Sequence, residues 1–340
     1  MEGVMMRSPN SFAVAVRRPN NEIVIKEDVW RSLWDRLKFL KWPFLRGTIV
    51  MLEAMMNGMQ ALSFSAKEAM PEDEKASGAE DNRLVFILPM LISVVMAIGL
   101  FKMLPHLAAT YTGMLLTGKA LTVNEVLYHV VDGGVKILIF VGYISAISLF
   151  KDIRRVFMYH GAEHVSIYTH EAGEDLIVEN ARKKSTLHPR CGTAFIMVVI
   201  LVFIVVAALL LPYMPEWAKP GEGKPWYNHI LVVLVKLPLL IPVAGVSYEF
   251  NRFAGRHVDN PFLKPFLWPG LAMQLLTTRR PDDDQIEVAL AALRTSLWRE
   301  KVGESVPADE ELLVFKDFES FVDAVDDLRG DRTEVQAVQR

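Results

Sequence analysis

Residues 194–214 read AFIMVVILVFIVVAALLLPYM, a stretch of bilayer-spanning length without a single charge. A hydrocarbon core of about 30 Å takes roughly 20 residues at the helical rise, and every backbone polar group inside it must find its partner within the segment. This run therefore admits one structure, a membrane-spanning helix. Three further runs have comparable length: 84–104, 133–150 and 229–247. The last two each carry one lysine, Lys136 and Lys236, and 229–247 also contains Pro238 and Pro242. Neighbouring helices tolerate such interruptions by covering the freed backbone. The expected fold is an α-helical membrane protein: about four transmembrane helices, interfacial helices, and a small cytoplasmic β-hairpin sheet.

Lysine and arginine are unevenly spread about these runs. They crowd the segment before the first (Arg31, Arg36, Lys38, Lys41, Arg46) and the stretch between the second and third (Lys151, Arg154, Arg155, Arg182, Lys183, Lys184, Arg190). They recur after the fourth (Arg252, Arg256, Lys264, Arg279, Arg280), whereas 105–132 and 215–228 hold only Lys119, Lys219 and Lys224. By the positive-inside rule, both termini and the central loop are cytoplasmic. No cleavable signal precedes the first apolar run, so that run itself directs insertion. A formal net charge of −3 speaks against a nucleic-acid partner. The lipid bilayer is the partner expected first, and a membrane or cytoplasmic protein second. Cys191, the single cysteine, falls in the central loop, which excludes a disulfide within the chain and leaves a reduced thiol.

Strand-like alternation in 12–16 and 22–26 around a turn-rich 17–21 makes residues 1–28 an N-terminal β-hairpin. Residues 29–70 read as interfacial amphipathic helices, with Trp30, Leu33, Trp34, Leu37, Leu40 and Trp42 forming an apolar stripe among basic residues. Within them, 48–66 carries Glu53, Asn57 and Gln60; it suits an interfacial or re-entrant helix and leaves a fifth span open. Residues 71–83 are an acidic linker, and 84–150 hold the first two spans. In the cytoplasmic insertion 151–193, segments 165–169 and 176–178 bracket a Gly-containing turn as a second hairpin, which can pair with the first in one sheet. Residues 194–250 hold the last two spans. In 251–300, an interfacial segment 262–277 precedes a soluble helix 283–300, with Asp282 as N-cap. The acidic C-terminal tail 301–340 includes an amphipathic helix at 309–328.

Chemically capable side chains gather in three places that this topology puts at one membrane face: His160, Glu163 and His164; His188 and Cys191; and Glu249. Imidazoles at i and i+4 share a helix face, a spacing a divalent metal uses. The order His-x-x-Glu-His matches the inverted zinc-protease pattern, in which two His hold the metal and Glu is the general base. Zn²⁺ favours imidazole, thiolate and carboxylate, so the third ligand is sought among His188, Cys191 and Glu249. Glu163 has a second reading, as a group that orients a ligand imidazole. Blander readings stand beside these. The pentad's side chains can simply bond a following hairpin and helix carbonyls, Leu187-His188-Pro189-Arg190 can be a membrane-entry turn with Arg190 set to meet phosphates, and Glu249 can pair with Arg252 or Arg256; the enzyme alternative without metal is Cys191 as a nucleophile with a nearby His. His129 and Asp132 read as helix-end residues.

Glu2-Gly3-Val4-Met5-Met6-Arg7, Tyr159-His160-Gly161-Ala162-Glu163-His164, Leu187-His188-Pro189-Arg190-Cys191-Gly192-Thr193, Ser247-Tyr248-Glu249 and 276–289 together resemble the YqhQ family of bacterial membrane proteins. The resemblance covers nearly the whole chain. It implies a multi-pass protein of the bacterial inner membrane, described as a predicted metal-dependent enzyme. The leading expectation is a cytoplasmic-face metal site, for Zn²⁺ by its ligand chemistry, serving a hydrolase of peptide or lipid-linked substrates with Glu163 as base. The alternative is a non-catalytic scaffold that docks a cytoplasmic, translocation or envelope-assembly partner. A transporter ranks third, because few paired charges are visible inside the spans.

Overall fold

A computed structural model describes residues 2–30, 42, 45–69, 83–219, 225–258, 260–303 and 312–325. The expected acidic linker 71–83 lies almost wholly outside these residues, as do most of the Trp-rich stripe and much of the C-terminal tail.

Among the described residues four helical stretches are long and apolar enough to span a membrane. The first is α2 (Arg83–Ile98), a π-helical turn (Gly99–Met103) and α3 (Leu104–Thr117) in unbroken succession. It extends beyond 84–104 because residues to Thr117 keep helical hydrogen bonding until Gly118, at φ 72°, ends it in the left-handed conformation. The second is α4 (Val126–Ile147), which begins earlier than 133 and so takes His129 and Asp132 into the helix, where both are buried. The fourth span is discontinuous. A helix over Tyr227–Lys236 stops before Pro238, and another restarts over Leu240–Arg256.

The remaining helices complete the order: α1 (Leu45–Glu68), α5 (Lys151–Glu171), α6 (Val178–Ala181), α7 (Gly192–Leu210, the third span), α8 (Tyr227–Lys236), α9 (Leu240–Arg256), α10 (Lys264–Thr277) and α11 (Asp283–Val302). Helix α1 is not among the four spans. It anchors to the sheet, with Glu53 paired to Arg7 at 3.7 Å and Arg18 to Glu68 at 2.6 Å. It exposes Leu52, Met55, Met56, Met59 and Leu62 along one side, the distribution of an interfacial helix.

The N-terminal sheet has four antiparallel strands in the order β1-β2-β3-β4: Gly3–Arg7, Ser11–Arg17, Ile23–Val29 and Leu313–Phe315. The β2–β3 hairpin forms as expected, with Val14 opposite Lys26, and Asn21 at φ 77° turns its loop. The second hairpin does not form. Residues 165–169 continue α5, because Val165, Ser166 and Thr169 recur at helical spacing and are buried there. The glycine read as a hairpin turn is the helix stop. Gly173 sits at φ 68°, its N–H donates to the His170 carbonyl (3.0 Å), and Glu174 N–H donates to the Thr169 carbonyl (3.2 Å), a Schellman closure. The sheet instead recruits β1 and β4, so 313–315 is strand, and helix within 309–328 is confined to 318–325 among described residues.

Helix α11 starts at the capping box Asp282–Gln285. Its small-residue face Val288, Ala289, Ala291 and Ala292 lies against Ile23, Ile25, Met6 and Phe321, with Tyr159 and Ala162 of α5 closing the same core. An ion pair between Glu27 and Arg299, side chains 4% and 1% exposed, ties β3 to α11 inside this domain. Glu27→Ala alone strands a buried guanidinium and is expected to destabilise the protein by about 3–5 kcal/mol. The double replacement Glu27→Met with Arg299→Met should recover most of that loss in thermal or denaturant unfolding of the detergent-solubilised protein.

Candidate metal centre

Helix α5 places His160 and His164 one turn apart with ring centroids separated by 4.5 Å. It can approach the α10–α11 junction this closely because residue 161 is glycine. A Cβ there would fall on the Arg279 carbonyl oxygen, and Arg279 N–H donates to Phe157 O at 2.9 Å beside it. Cys191 arrives from the other side as the N-cap of α7, its sulfur accepting the Thr193 N–H at 3.4 Å. Ligating atoms of His160, His164 and Cys191 lie within 4.8 Å of one another. His160 Nε2 is 3.1 Å from Cys191 Sγ.

Backbone carbonyls set both imidazoles. His160 Nδ1 meets Thr277 O at 2.8 Å, and His164 Nδ1 meets Thr186 O at 2.5 Å. A carbonyl oxygen only accepts, so each Nδ1 carries a proton and Nε2 is the nitrogen left for the cluster. Metal-binding histidines are commonly oriented in this manner.

The turn that presents Cys191 is held from α10. Gln274 accepts the His188 N–H and donates to the His188 carbonyl, both at 2.7 Å. Tyr168 Oη donates to Leu187 O at 2.9 Å. His188 itself stands one ring away from the cluster, 5.7 Å between its centroid and that of His164, with both nitrogens engaged. Its Nδ1 accepts the Arg190 N–H at 3.3 Å, and Nε2 faces Glu171 at 3.4 Å. Glu249 is elsewhere. Arg46 of α1 holds it at 2.6 and 2.5 Å, so the carboxylate joins α1 to α9 rather than to the cluster. Neither Arg252 nor Arg256 is the partner in that contact. Of the three third-ligand candidates, geometry brings only Cys191 to the two histidines.

Electrostatics favours a charged pair. Burial pushes the Cys191 thiol up, but hydrogen bonds and charge from His160 and His164 outweigh it and bring it down to about 5. Burial pulls His160 down, yet the bond and charge of Cys191, with Glu163, raise it to about 9. Both shifts describe one coupled imidazolium–thiolate pair. Burial raises the Glu163 carboxyl, with His160 and His164 opposing, so this side chain feels the cluster directly. Burial lowers His188, against the pull of Glu171.

Gln274, Thr277, Thr186 and Glu171 escaped the sequence reading. Only Gln274 left a trace there, as the lone amide in the apolar segment 262–277.

These features define an α-helical membrane protein with four apolar spans, a small antiparallel sheet and a His/His/Cys cluster at one end of the bundle. A family described as "Protein of unknown function (DUF1385)" matches residues 42–299. The chain is 31% identical over 314 residues to "Uncharacterized protein YqhQ" of Bacillus subtilis (strain 168), covering 89% of this chain and 92% of that one. The chain belongs to this YqhQ/DUF1385 family. No solved structure matches it.

Two outcomes test the site's construction. Gly161→Ala forces α5 away from Arg279 and should cost about 3 kcal/mol in unfolding, with loss of the 3.1 Å His160–Cys191 contact. In metal-free protein the depressed thiol is ionised above its folded value and protonates as pH falls through it. The ultraviolet thiolate absorbance of the single cysteine should therefore be constant through neutrality and disappear around pH 5; His160→Ala should return the transition toward about 8.5.

Proposed function

We propose that His160, His164 and Cys191 hold one divalent metal, Zn²⁺ by ligand preference, at the cytoplasmic face of the bacterial inner membrane, and that the protein is a metal-dependent hydrolase. One observation carries this reading: both imidazoles spend Nδ1–H on fixed backbone carbonyls, so two Nε2 atoms and the Cys191 sulfur converge. Two imidazoles and a thiol are a donor set that would suit Zn²⁺, and His160, His164 and Cys191 would hold it. Such an ion supplies Lewis acidity, activating water near neutral pH.

Glu163 would be the proton acceptor beside the site. Its raised carboxyl basicity brings it toward the range of a general base. Arg190, next in sequence to Cys191, lines a cavity of about 610 Å³ with Tyr248, Asn251, Arg252, Gly255 and Arg256. Arg252 and Arg256, with Arg190 shared with Glu171 at 2.9 Å, favour an anionic substrate, which supports a lipid-linked phosphate over a neutral peptide. The uneven lysine and arginine distribution supports the cytoplasmic placement of this face and of both termini.

Purified protein should contain one zinc per chain by elemental analysis. Cys191→Ser should weaken binding by more than about 100-fold, beyond the loss caused by removing an outer hydrogen-bond partner. Because Cys191 is already a thiolate at neutral pH and His160 a cation, zinc binding should release about one proton, measured calorimetrically in buffers of different ionisation enthalpy. Glu163→Gln should keep the metal and abolish turnover. Protein that carries no metal and takes up none would sink the proposal.

A further inference from the structure

Inside the spans lies a second cluster of ionisable groups, distinct from the His/His/Cys site. Asp132 of α4 accepts from Lys236 of α8 at 3.0 Å and is also paired with Lys136, one turn along α4. Lys102, on the π-helical turn, holds its ammonium 3.7 Å above the Phe203 ring; Lys136 lies 5.2 Å from the same ring. Among the described residues no carboxylate lies within ion-pair distance of Lys102. Three lysines thus gather about one aspartate at the level of the apolar core, and Asp132, Lys136 and Lys236 are each at most 5% exposed. With all three amines protonated and Asp132 ionised, the cluster would hold two uncompensated positive charges where each costs several kcal/mol.

From this cluster runs a hydrogen-bonded chain with a consistent direction. Lys236 Nζ donates to Tyr128 Oη at 3.0 Å. Tyr128 Oη is bonded to His106 Nδ1, and His106 Nε2 to His229 Nδ1 at 2.8 Å. Each intermediate group both accepts and donates. His229 is half-buried near the start of α8, and the relay leads inward from it to Lys236, seven residues or about 10 Å of helix deeper. This is the end of the bundle opposite Cys191, since Tyr128 shares a core with Phe203, Ala207 and Leu211 at the far end of α7. His129 stands beside the relay without joining it; its Nε2 bonds Val123 O at 2.9 Å, and its Nδ1 is buried without a partner.

A packing role alone leaves two things unaccounted for. One is the excess of cations. The other is that two backbone irregularities of the spans meet here: the π turn presents Lys102, and the break in the fourth span directly follows Lys236. π turns and discontinuous spans concentrate at functional positions in membrane proteins.

We propose that Lys102, Asp132, Lys136 and Lys236 form a proton-loading site within the membrane, which exchanges protons with the face opposite the His/His/Cys cluster through Tyr128, His106 and His229. In the outward step Lys236 gives a proton to Tyr128 Oη as the tyrosyl proton moves to His106 Nδ1. The His106 Nε2 proton moves to His229 Nδ1. Lys236 is left a neutral amine, Tyr128 and His106 are unchanged in charge, and His229 is an imidazolium that releases its proton to water; the inward step is the reverse. The ligand is therefore the proton itself.

Full-length protein in lipid, labelled with ¹⁵N-lysine, tests this by solid-state NMR, with Lys102→Met, Lys136→Met and Lys236→Met assigning the signals. At least one of the three is expected to be a neutral amine at about pH 9 and an ammonium at about pH 6. After a pH jump, Tyr128→Phe, which keeps the ring and removes the relaying hydroxyl, should slow that conversion by about 100-fold. His106→Gln should slow it likewise and serves if Tyr128→Phe misfolds. Three lysine signals unchanged across this pH range overturn the proposal, whatever becomes of the variants. So does conversion as fast in a folded relay variant as in the unaltered chain.

Discussion

The junction between α10 and α11 lies so close to α5 that only glycine fits at position 161, and most of the architecture around the His/His/Cys cluster follows from that contact. With Arg279 bonded to Phe157 at 2.9 Å, His160 is one residue from the junction and its Nδ1 reaches Thr277 O. One turn later, His164 reaches Thr186 O. On another side of the same helix, Tyr159 and Ala162 are buried against the sheet and α11. Each position of the pentad thus has a separate duty: two imidazoles for the cluster, a glycine for close approach, an alanine for the core, a carboxylate beside the site. The cluster owes its geometry to backbone acceptors that cannot rotate away, which is the sort of support a precise ligand set requires.

Two buried charge systems obey different rules. Glu27 and Arg299 balance one against one, and their geometry is that of a domain lock. The membrane cluster is unbalanced, three amines to one carboxylate, and it is assembled from helices separated by over a hundred residues of sequence. In a low-dielectric medium the first arrangement is tolerable with all groups charged, whereas the second is tolerable only if protons leave or an anion enters. The directed hydrogen-bond chain to His229 decides in favour of protons.

Local periodicity made much of this fold legible. The charge-free run became α7, Asp282 capped α11, and the β2–β3 hairpin formed around its turn. Failures arose where a local signal had two physical meanings. Gly173 closes a helix as readily as it turns a hairpin, and Val165 and Thr169 favour strands by residue type but are buried in α5, Val165 against Ile286 and Leu290 of α11. Strands β1 and β4 are short, and β4 pairs with β3 from the opposite end of the chain. At the site, His160, His164 and Cys191 were legible because metal-like side chains are conspicuous. The partner of Glu249 was not, since Arg46 lies 203 residues away. Thr186 and Thr277 contribute carbonyls, which every residue has and no sequence pattern marks.

Helix α7 links the two chemical centres. Its N-terminus carries Cys191, where unpaired N–H groups and the helix dipole favour a thiolate. Phe203, twelve residues along and so about 18 Å away by helical rise, lies under the ammonium of Lys102. That distance is far too great for a proton to pass directly between cluster and cysteine. Communication between them, if carried by packing, would be a displacement of α7, the element that both centres share. The packing indicates where such a displacement would be felt. Gly270 of α10 lies so near Ala194 that a Cβ would come within 2.8 Å of the alanine Cβ, and α10 also carries Gln274, which holds the His188 turn. A shift of α7 at the membrane cluster would consequently reach Cys191 twice: through its own N-cap, and through the helix that fixes the turn preceding it.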